Sequence, residues 1–231
     1  MTPALSPRRT ATRDRLIEAA LGVFAEKGVL AATVEEICDA AGFTRGAFYS
    51  NFESKDGLCV AVLDALTAES LDATREAISS LPLATLGEPT TEELVGHAVG
   101  VFMRAQRADR AWVLGSAELR LHAARSSTIR SAYRDRVERS TREFVALIEG
   151  TAAQLGYELA VPGAAAIDVL NAVFEHGAVG AVIAGEDVAG DVRTAQLGAV
   201  LRSLLRPAAR RPGASPRGAS VGKSIPSEGA R

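Results

Sequence analysis

Several kinds of residue are scarce in this 231-residue sequence, and each scarcity excludes a class of protein. Two cysteines, Cys38 and Cys59, are too few for a disulfide scaffold, so a reducing cytoplasm is the expected compartment. We expect both thiols to be buried and inert, with a redox switch between them as the alternative. Aromatic residues amount to 5%, so aliphatic side chains must fill the core that a hydrophobic content of 47% allows.

An excess of positive charge is also lacking, since the formal net charge is −2. The field of the whole molecule therefore does not indicate a nucleic-acid partner, which would need a local basic region. The N-terminal segment supplies such a region, with several arginines against the single acid Asp14. These arginines are Arg8, Arg9, Arg13 and Arg15.

Long hydrophobic runs without charge are missing too. The N-terminus has no apolar segment after its charges, so we expect no signal peptide. The least charged run, residues 161–185, contains Asp168, Glu175 and His176 and is not expected to cross a membrane. The sequence therefore predicts a cytoplasmic protein with no membrane partner.

The hydrophobic pattern that is present has the period of the α-helix, and no strand-like alternation stands out. It predicts an all-α fold. The predicted helices cover approximately residues 10–27, 34–41, 45–52, 54–79, 90–108, 112–123, 126–155, 164–184 and 191–206. The helix over 164–184 is apolar around most of its circumference, which indicates burial on more than one side. Together with the Leu-rich helix that follows, it predicts a homodimer interface built from four helices.

The most informative stretch is residues 33–58, TVEEICDAAGFTRGAFYSNFESKDGL. Thr33 and Glu36 have the spacing of a capping box, which predicts the start of a helix. Gly42 follows eight helical positions later and is suited to end that helix in a left-handed conformation. Thr44 can then cap a second helix. The spacing predicts two short helices joined by a tight turn.

The second of these helices has two different faces. Phe48 and Phe52 lie four residues apart and are expected to point into a small core. Arg45 and Tyr49 share the outer face with Gly46. Arginine can pair with guanine, glycine lets the backbone approach a duplex, and the tyrosine hydroxyl can bind a phosphate. The alternative is a plain helical hairpin whose polar face meets only water.

The segment AAGFTRGAFYSNFESKDGL closely resembles the DNA-reading segment of the TetR family of bacterial transcriptional regulators. A small residue, Gly, an apolar residue, Thr or Ser, a further Gly, Tyr, Phe and a later Ser-Lys recur there in this order. The resemblance covers about residues 8–66, and beyond it only the number, lengths and order of the helices are similar. It implies DNA contacts at Thr33, Thr44, Arg45, Gly46, Tyr49 and Lys55. Thr33 and Lys55 begin the flanking helices, where backbone N–H groups favour a phosphate.

Three positions depart from the family pattern. Gly57 stands where an acidic residue is common, which removes a capping box from the helix that Ser54 begins. Ser50 and Asn51 stand where family members often carry bulkier aromatic or histidine residues. These departures weaken the expectation of DNA contacts at Ser50 and Asn51 and leave the fold unaffected.

Catalytic and metal-binding patterns are not found. The three histidines, His97, His122 and His176, lie on three different predicted helices without a neighbouring cysteine or carboxylate pair. No phosphate loop, nucleophile elbow or dinucleotide fingerprint is present. The sequence therefore predicts no enzyme, no metal and no cofactor.

The predicted organisation has four segments. They are a flexible basic arm (1–9), a helix-turn-helix DNA-binding domain (10–53), a helical ligand-binding and dimerisation domain (54–206) and a disordered tail (207–231). Most of the few aromatic residues fall in the larger domain, which predicts an apolar cavity with a polar handle, ordinary core being the alternative. The expected lining is Phe102, Met103, Trp112, Tyr133, Phe144 and His176.

These features predict a homodimeric transcriptional repressor. It would bind an inverted repeat in double-stranded DNA and be released by a small, mainly apolar effector. The first alternative is a DNA-binding regulator without a small-molecule effector. The second is a helical enzyme or carrier on the same scaffold.

Overall fold

The computed structural model describes residues 6–82, 89–188 and 191–209. Within these residues it contains nine helices and one two-stranded antiparallel sheet. They are α1 (Pro7–Ala31), α2 (Val34–Ala41), α3 (Arg45–Tyr49), α4 (Lys55–Ser79), α5 (Thr91–Ala105), α6 (Arg110–Arg125), α7 (Ser127–Gln154), β1 (Tyr157–Leu159), α8 (Gly163–Ala184), α9 (Asp191–Leu204) and β2 (Leu205–Pro207). The predicted all-α class is confirmed. The expected disorder at residues 1–5 and 210–231 and the inner part of the predicted linker, 83–88, lie outside the described residues.

Helix α1 is longer at both ends than predicted. Pro7 occupies its first turn, where the missing N–H costs nothing, so Arg8 and Arg9 are helical and do not belong to a flexible arm. At the other end Gly28 adopts φ 77° and ψ 156°, which kinks the chain, and a further turn continues to Ala31. The glycine therefore interrupts the helix at the predicted place without ending it.

The turn between α2 and α3 forms as predicted from local capping. The side chain of Thr33 accepts a hydrogen bond from the Glu36 N–H (3.2 Å), and the Glu36 carboxylate accepts one from the Thr33 N–H (3.0 Å). Gly42 ends α2 with a left-handed φ of 70°. Thr44 then caps α3 by accepting from the Ala47 N–H at 3.3 Å.

Helix α3 is shorter than the predicted range of 45–52. The hydroxyl of Ser50 and the amide of Asn51 both donate to the Ala47 carbonyl at 2.8 Å. Such side-chain bonds compete with the backbone hydrogen bonds that would continue the helix. The chain leaves the helix after Tyr49, and Phe52 enters the core from the following turn.

The two short strands were not predicted. Tyr157–Leu159 pairs antiparallel with Leu205–Pro207, so the last helix ends at Leu204 and not at residue 206. Strands of three residues are too short to show alternation in the sequence. Their pairing holds the end of α9 against the connection between α7 and α8.

Among the described residues the buried apolar side chains form two large cores and a small third cluster of Leu94, Ala152, Leu155 and Tyr157. The first joins α1, α2 and α3 to the start of α4, and it also includes Leu119 and Ala123 of α6 and Ile129 of α7. The second joins α5, α6, α8 and α9 around Phe174. Helix α1 packs most extensively against α6, and Gly115 brings them so close that an added Cβ would lie 2.8 Å from the Leu21 carbonyl oxygen. The helix-turn-helix unit is therefore built onto the larger helical part.

Helix α8 is, within the described ranges, the one helix long and apolar enough to meet length and composition criteria for a membrane span. One of its faces packs in the second core through Ala166, Leu170 and Phe174, while Val169 and Ile183 are exposed on another face. The predicted burial of this helix on more than one side is therefore not found within a single chain.

Candidate nucleic-acid interface and effector cavity

The outer face of the helix-turn-helix unit collects most of the sequence-predicted DNA contacts. Thr44, Arg45, Gly46 and Tyr49 are all exposed, and Tyr49 as a whole residue is 52% exposed despite its size. Phe48, on the opposite face of α3, is fully buried. Its ring packs edge-on to Tyr49 at 5.2 Å between centroids. The core residue thus supports the exposed ring from behind.

Arg45 is exposed but not free of partners. Its guanidinium donates to the Glu35 carboxylate at the start of α2 and lies 5.9 Å from the centroid of the Tyr49 ring. A hydrogen bond with Tyr49 and then the charge of Glu35 raise the pKa of Arg45. To contact a base, the Arg45 guanidinium would have to release the Glu35 carboxylate and bind the nucleic acid in its place.

Thr33 and Lys55, both predicted to contact a phosphate, differ in whether they face solvent. Thr33 is exposed at the N-terminus of α2, so the predicted contact of a phosphate with that helix end is sterically open. Lys55 points back into the molecule, where its ammonium donates to the carbonyls of Val29 (2.7 Å) and Ala32 (2.8 Å). Its ammonium therefore caps the end of α1, and the predicted phosphate contact would have to use the backbone at the start of α4.

The N-terminal arginines have a structural role that the sequence analysis did not identify. Arg9 donates to the Ser50 carbonyl at 2.6 Å, and Arg13 donates to the Asn51 carbonyl at 3.1 Å while lying 4.4 Å above the Phe52 ring. They hold the end of α3 against α1. The four-residue spacing of Arg9 and Arg13 was the available signal, because it places both side chains on one face of a helix.

Arg15 has a related role, donating to the Ala41 carbonyl at the C-terminus of α2 at 2.7 Å. A cation at this end of a helix is favoured by the helix dipole. Much of the local basic charge that suggested DNA binding therefore stabilises the helix-turn-helix unit itself.

A cavity of about 510 Å³ lies in the larger helical part, with walls from α4 to α9. Four of the predicted lining residues contribute to it, namely Phe102, Trp112, Tyr133 and Phe144. The Phe174 ring packs behind two of them, 5.8 Å from Phe102 and 6.2 Å from Trp112 between centroids. Helix α4 supplies Leu63, Leu66, Thr67, Ser70, Thr74 and Ile78 to the same wall.

Two predicted lining residues are wrong. Met103 is half-buried against the second core and does not reach the cavity. His176 is exposed on the outer face of α8. Phe174 and Ala178 lie four residues apart on the buried face, and His176, midway between them in sequence, points away from that face. The histidine that does reach the cavity is His97 of α5, which the analysis of the sequence left unassigned.

The cavity wall includes the charged residues Arg120, Asp168 and Glu175, and the arginine is paired. The Arg120 guanidinium donates to the Glu175 carboxylate, and both residues line the wall. Burial raises the pKa of Tyr133, so its hydroxyl stays protonated and can donate a hydrogen bond. Asn171 adds an amide to this polar end. The cavity thus offers hydrogen-bonding groups without an unpaired charge from Arg120.

Both cysteines are free and buried, as the sequence predicted. Burial raises the pKa of Cys59 to about 12 and also raises the pKa of Cys38. Raised thiol pKa values disfavour the reactive thiolate, which is consistent with cysteines that do not act as an exposed redox pair.

Comparison with known proteins identifies the N-terminal region. Residues 16–62 match the family model described as bacterial regulatory proteins, tetR family. The chain is similar to the HTH-type transcriptional repressor KstR2 of Rhodococcus jostii, with 33% identity over 72 residues, which are 31% of this chain and 35% of the relative. The chain thus covers about a third of the length of that relative.

Solved structures extend the similarity of fold to most of the chain. The fatty acid degradation regulator FadR of Bacillus halodurans superposes with a TM-score of 0.65 at 17% identity, over 87% of this chain and 97% of that one. FadR of Bacillus subtilis in complex with stearoyl-CoA gives a TM-score of 0.60 at 15% identity, over 82% and 97%. The N-terminal region thus carries a domain of the tetR family of bacterial regulatory proteins, and the all-helical fold of the chain is similar to that of these solved regulators.

Proposed function

We propose that this protein is a dimeric, cytoplasmic transcriptional repressor that binds an inverted-repeat operator and is released by a small, mainly apolar effector. The observation that carries the proposal is the exposed face formed by Thr44, Arg45, Gly46 and Tyr49 at the start of a capped helix, behind which Phe48 is buried. Side chains at the N-terminal end of such a helix can reach base edges in the major groove.

The DNA-reading step is tested by replacing Arg45 with alanine. We expect the variant to lose discrimination at one base position of each half-site, at a cost of ~1–3 kcal/mol, because a bidentate contact to a base is removed. The measurement is binding of wild type and variant to a library of operator sequences at fixed salt. Arg134→Ala is the matched control, since Arg134 is exposed on α7, far from α3 in the sequence. An equal loss at every sequence would show that Arg45 does not read bases.

The proposed effector is uncharged. The Arg120 guanidinium at the polar end of the cavity is already paired with Glu175, so an anionic group would have to displace that carboxylate. The B. subtilis FadR structure contains stearoyl-CoA, which makes an acyl-CoA the natural competing candidate. A neutral apolar molecule with one hydrogen-bonding group fits the paired charges and the Tyr133 hydroxyl better.

Fluorescence titration separates these candidates. We expect a neutral naphthylamine fluorophore to bind in the cavity and stearoyl-CoA to compete weakly. Phe144→Ala should weaken binding of the fluorophore, because it removes an aromatic side chain from the cavity wall. Met103→Ala should leave this binding unchanged, because Met103 lies outside the cavity. Tight binding of stearoyl-CoA that depends on Arg120 would instead favour an anionic effector.

A further inference from the structure

Three potential metal ligands from two distant parts of the sequence meet between α4 and α6. Asp56 and Cys59 lie in the first two turns of α4, and His122 lies in the last turn of α6, 66 residues after Asp56. One ligand atom from each of the three residues lies within 4.8 Å of the others. The sequence predicted no metal site because no histidine has a neighbouring cysteine or a spaced pair of carboxylates along the chain. The fold brings all three together.

The histidine of this cluster has one ring nitrogen in use and one without a partner. His122 Nε2 lies 3.0 Å from Asp56 Oδ1, and since a carboxylate only accepts, this bond assigns the hydrogen to Nε2. Nδ1 is buried and has no hydrogen-bond partner among the described residues, while the residue as a whole is only 7% exposed. An ion that binds Asp56 and His122 together must lie at Nε2, where it would replace this hydrogen, and the hydrogen of the neutral imidazole would then be on Nδ1.

We propose that Asp56, Cys59 and His122 bind one divalent transition-metal ion, for which Zn²⁺ is the best fit. Sulfur, imidazole nitrogen and carboxylate oxygen are the three donor types that zinc takes in proteins. Ligand atoms of a tetrahedral zinc are roughly 3.3–3.6 Å apart, so the present cluster would need to contract by about 1 Å at its widest. A water molecule would complete the tetrahedron.

Charge and access agree with this assignment. Cys59 is a thiol in the metal-free protein and would release its proton to solvent on binding the ion. The resulting thiolate and the Asp56 carboxylate together neutralise a divalent cation, so the complex carries no net charge where Cys59 and His122 are buried. The Asp56 side chain is 30% exposed and gives an ion a route from solvent. Lys55 is adjacent in sequence, but its ammonium is held by the carbonyls at the end of α1. A bound ion would tie the start of α4 to α6, the helix against which α1 packs.

Cobalt substitution tests the proposal on the untagged, full-length protein after treatment with a chelator. We expect one Co²⁺ per chain, with the thiolate-to-cobalt charge-transfer absorption and the intense visible bands of tetrahedral coordination, and displacement by Zn²⁺. Cys59→Ser should abolish the charge-transfer band. Cys38→Ser is the matched control, because Cys38 is a buried thiol of the same core and should leave the spectrum unchanged.

The other two ligands are tested by affinity. Asp56→Asn and His122→Gln should each weaken Zn²⁺ binding at least tenfold in competition with a chromophoric chelator. The wild-type spectrum decides the matter even if a variant does not fold. Folded wild-type protein with no charge-transfer band would overturn the proposal, as would a band that is lost in Cys38→Ser and kept in Cys59→Ser.

Discussion

Single side chains decide whether a charge near the DNA-reading face serves the fold or a partner. Lys55 has the position expected of a phosphate contact, yet its ammonium donates to carbonyls at the end of α1. These carbonyls follow the kink at Gly28. They lack backbone N–H partners among the described residues, since a helix end leaves its last C=O groups unsatisfied. A lysine at this position can therefore either cap a helix end inside the protein or contact a DNA phosphate. The direction of its ammonium group distinguishes the two roles.

Replacing Lys55 with alanine should destabilise the protein. Loss of a charged donor from partly buried carbonyls predicts a decrease of ~1.5–3 kcal/mol in the free energy of unfolding. Urea denaturation measures this loss. Lys27→Ala is the control, because Lys27 makes an exposed ion pair with Glu36 and its removal should change stability little. Unchanged stability in Lys55→Ala, with weaker binding to every DNA sequence, would return Lys55 to the role of a phosphate contact.

Gly115 controls the approach of α1 to α6. An added Cβ would lie 2.5 Å from Leu21 Cδ1 and 2.8 Å from the Leu21 carbonyl oxygen. Gly115→Ala should therefore force the two helices apart and lower the free energy of unfolding by ~1–3 kcal/mol. Gly22→Ala on α1 meets open space and should instead stabilise by ~0.5–1 kcal/mol. Urea unfolding of both variants gives the comparison, and two changes of the same sign would contradict this account.

At the scale of elements, the parts that could be predicted are those determined by neighbours in sequence. The capping box predicted at Thr33 involves a partner three residues away, and it forms; Thr90 and Glu93 have the same spacing and form a second one. Helix α4 begins after Ser54 and ends at Ser79, as its apolar stripe predicted. Local hydrogen bonds and helical periodicity depend on short stretches of sequence. The predicted helix boundaries therefore agree with the observed ones.

The features that could not be predicted depend on residues far apart in the chain. The pairing of β1 with β2 joins segments about fifty residues apart and leaves no alternation to detect. The polar end of the cavity arises because Arg120 and Glu175 meet across two helices. His176 was assigned to the cavity because α8 is apolar on most sides, which does not reveal which side faces inward. Relative orientation of helices is set by packing, and a single sequence does not display it.

Helix α4 connects the DNA-reading helix-turn-helix unit with the effector cavity. Its first residue, Lys55, holds the end of α1, and its later turns, from Leu63 to Ile78, line the cavity. An effector that tilts α4 would change the separation of the two DNA-reading helices in a dimer. A ligand shifts such an equilibrium only by its differential affinity for the two arrangements.

The coupling should be reciprocal. If the neutral fluorophore weakens operator binding, operator DNA must weaken fluorophore binding by the same factor, typically ~1–3 kcal/mol of coupling free energy. Calorimetric titration of the fluorophore into free protein and into the protein–operator complex measures it, with DNA of scrambled sequence as the control. Equal affinities in the presence and absence of operator would remove this compound as a model effector.

At the scale of the whole molecule, one chain leaves a large apolar face uncovered. Val169 is 44% exposed and Ile183 is 81% exposed on α8, whose other side is buried in the second core. Small residues, including Gly180, are exposed along the same helix and would let a second helix approach closely. A two-fold axis beside α8 and α9 would bring the same faces of two chains together and cover them.

The dimer is therefore expected to depend on this face. An obligate interface of four helices should bury more than ~2,000 Å² in total, and a charge at its centre would be desolvated without a partner. Ile183→Glu should shift the protein from dimer to monomer in sedimentation at micromolar concentration and weaken binding to a full inverted repeat far more than to a half-site. Leu121→Glu places the same charge on an exposed leucine of α6 and should leave the dimer intact. A dimer that survives Ile183→Glu but is lost in Leu121→Glu would move the interface from α8 to α6, and the spacing of the two DNA-reading helices would then have to be derived from that other axis.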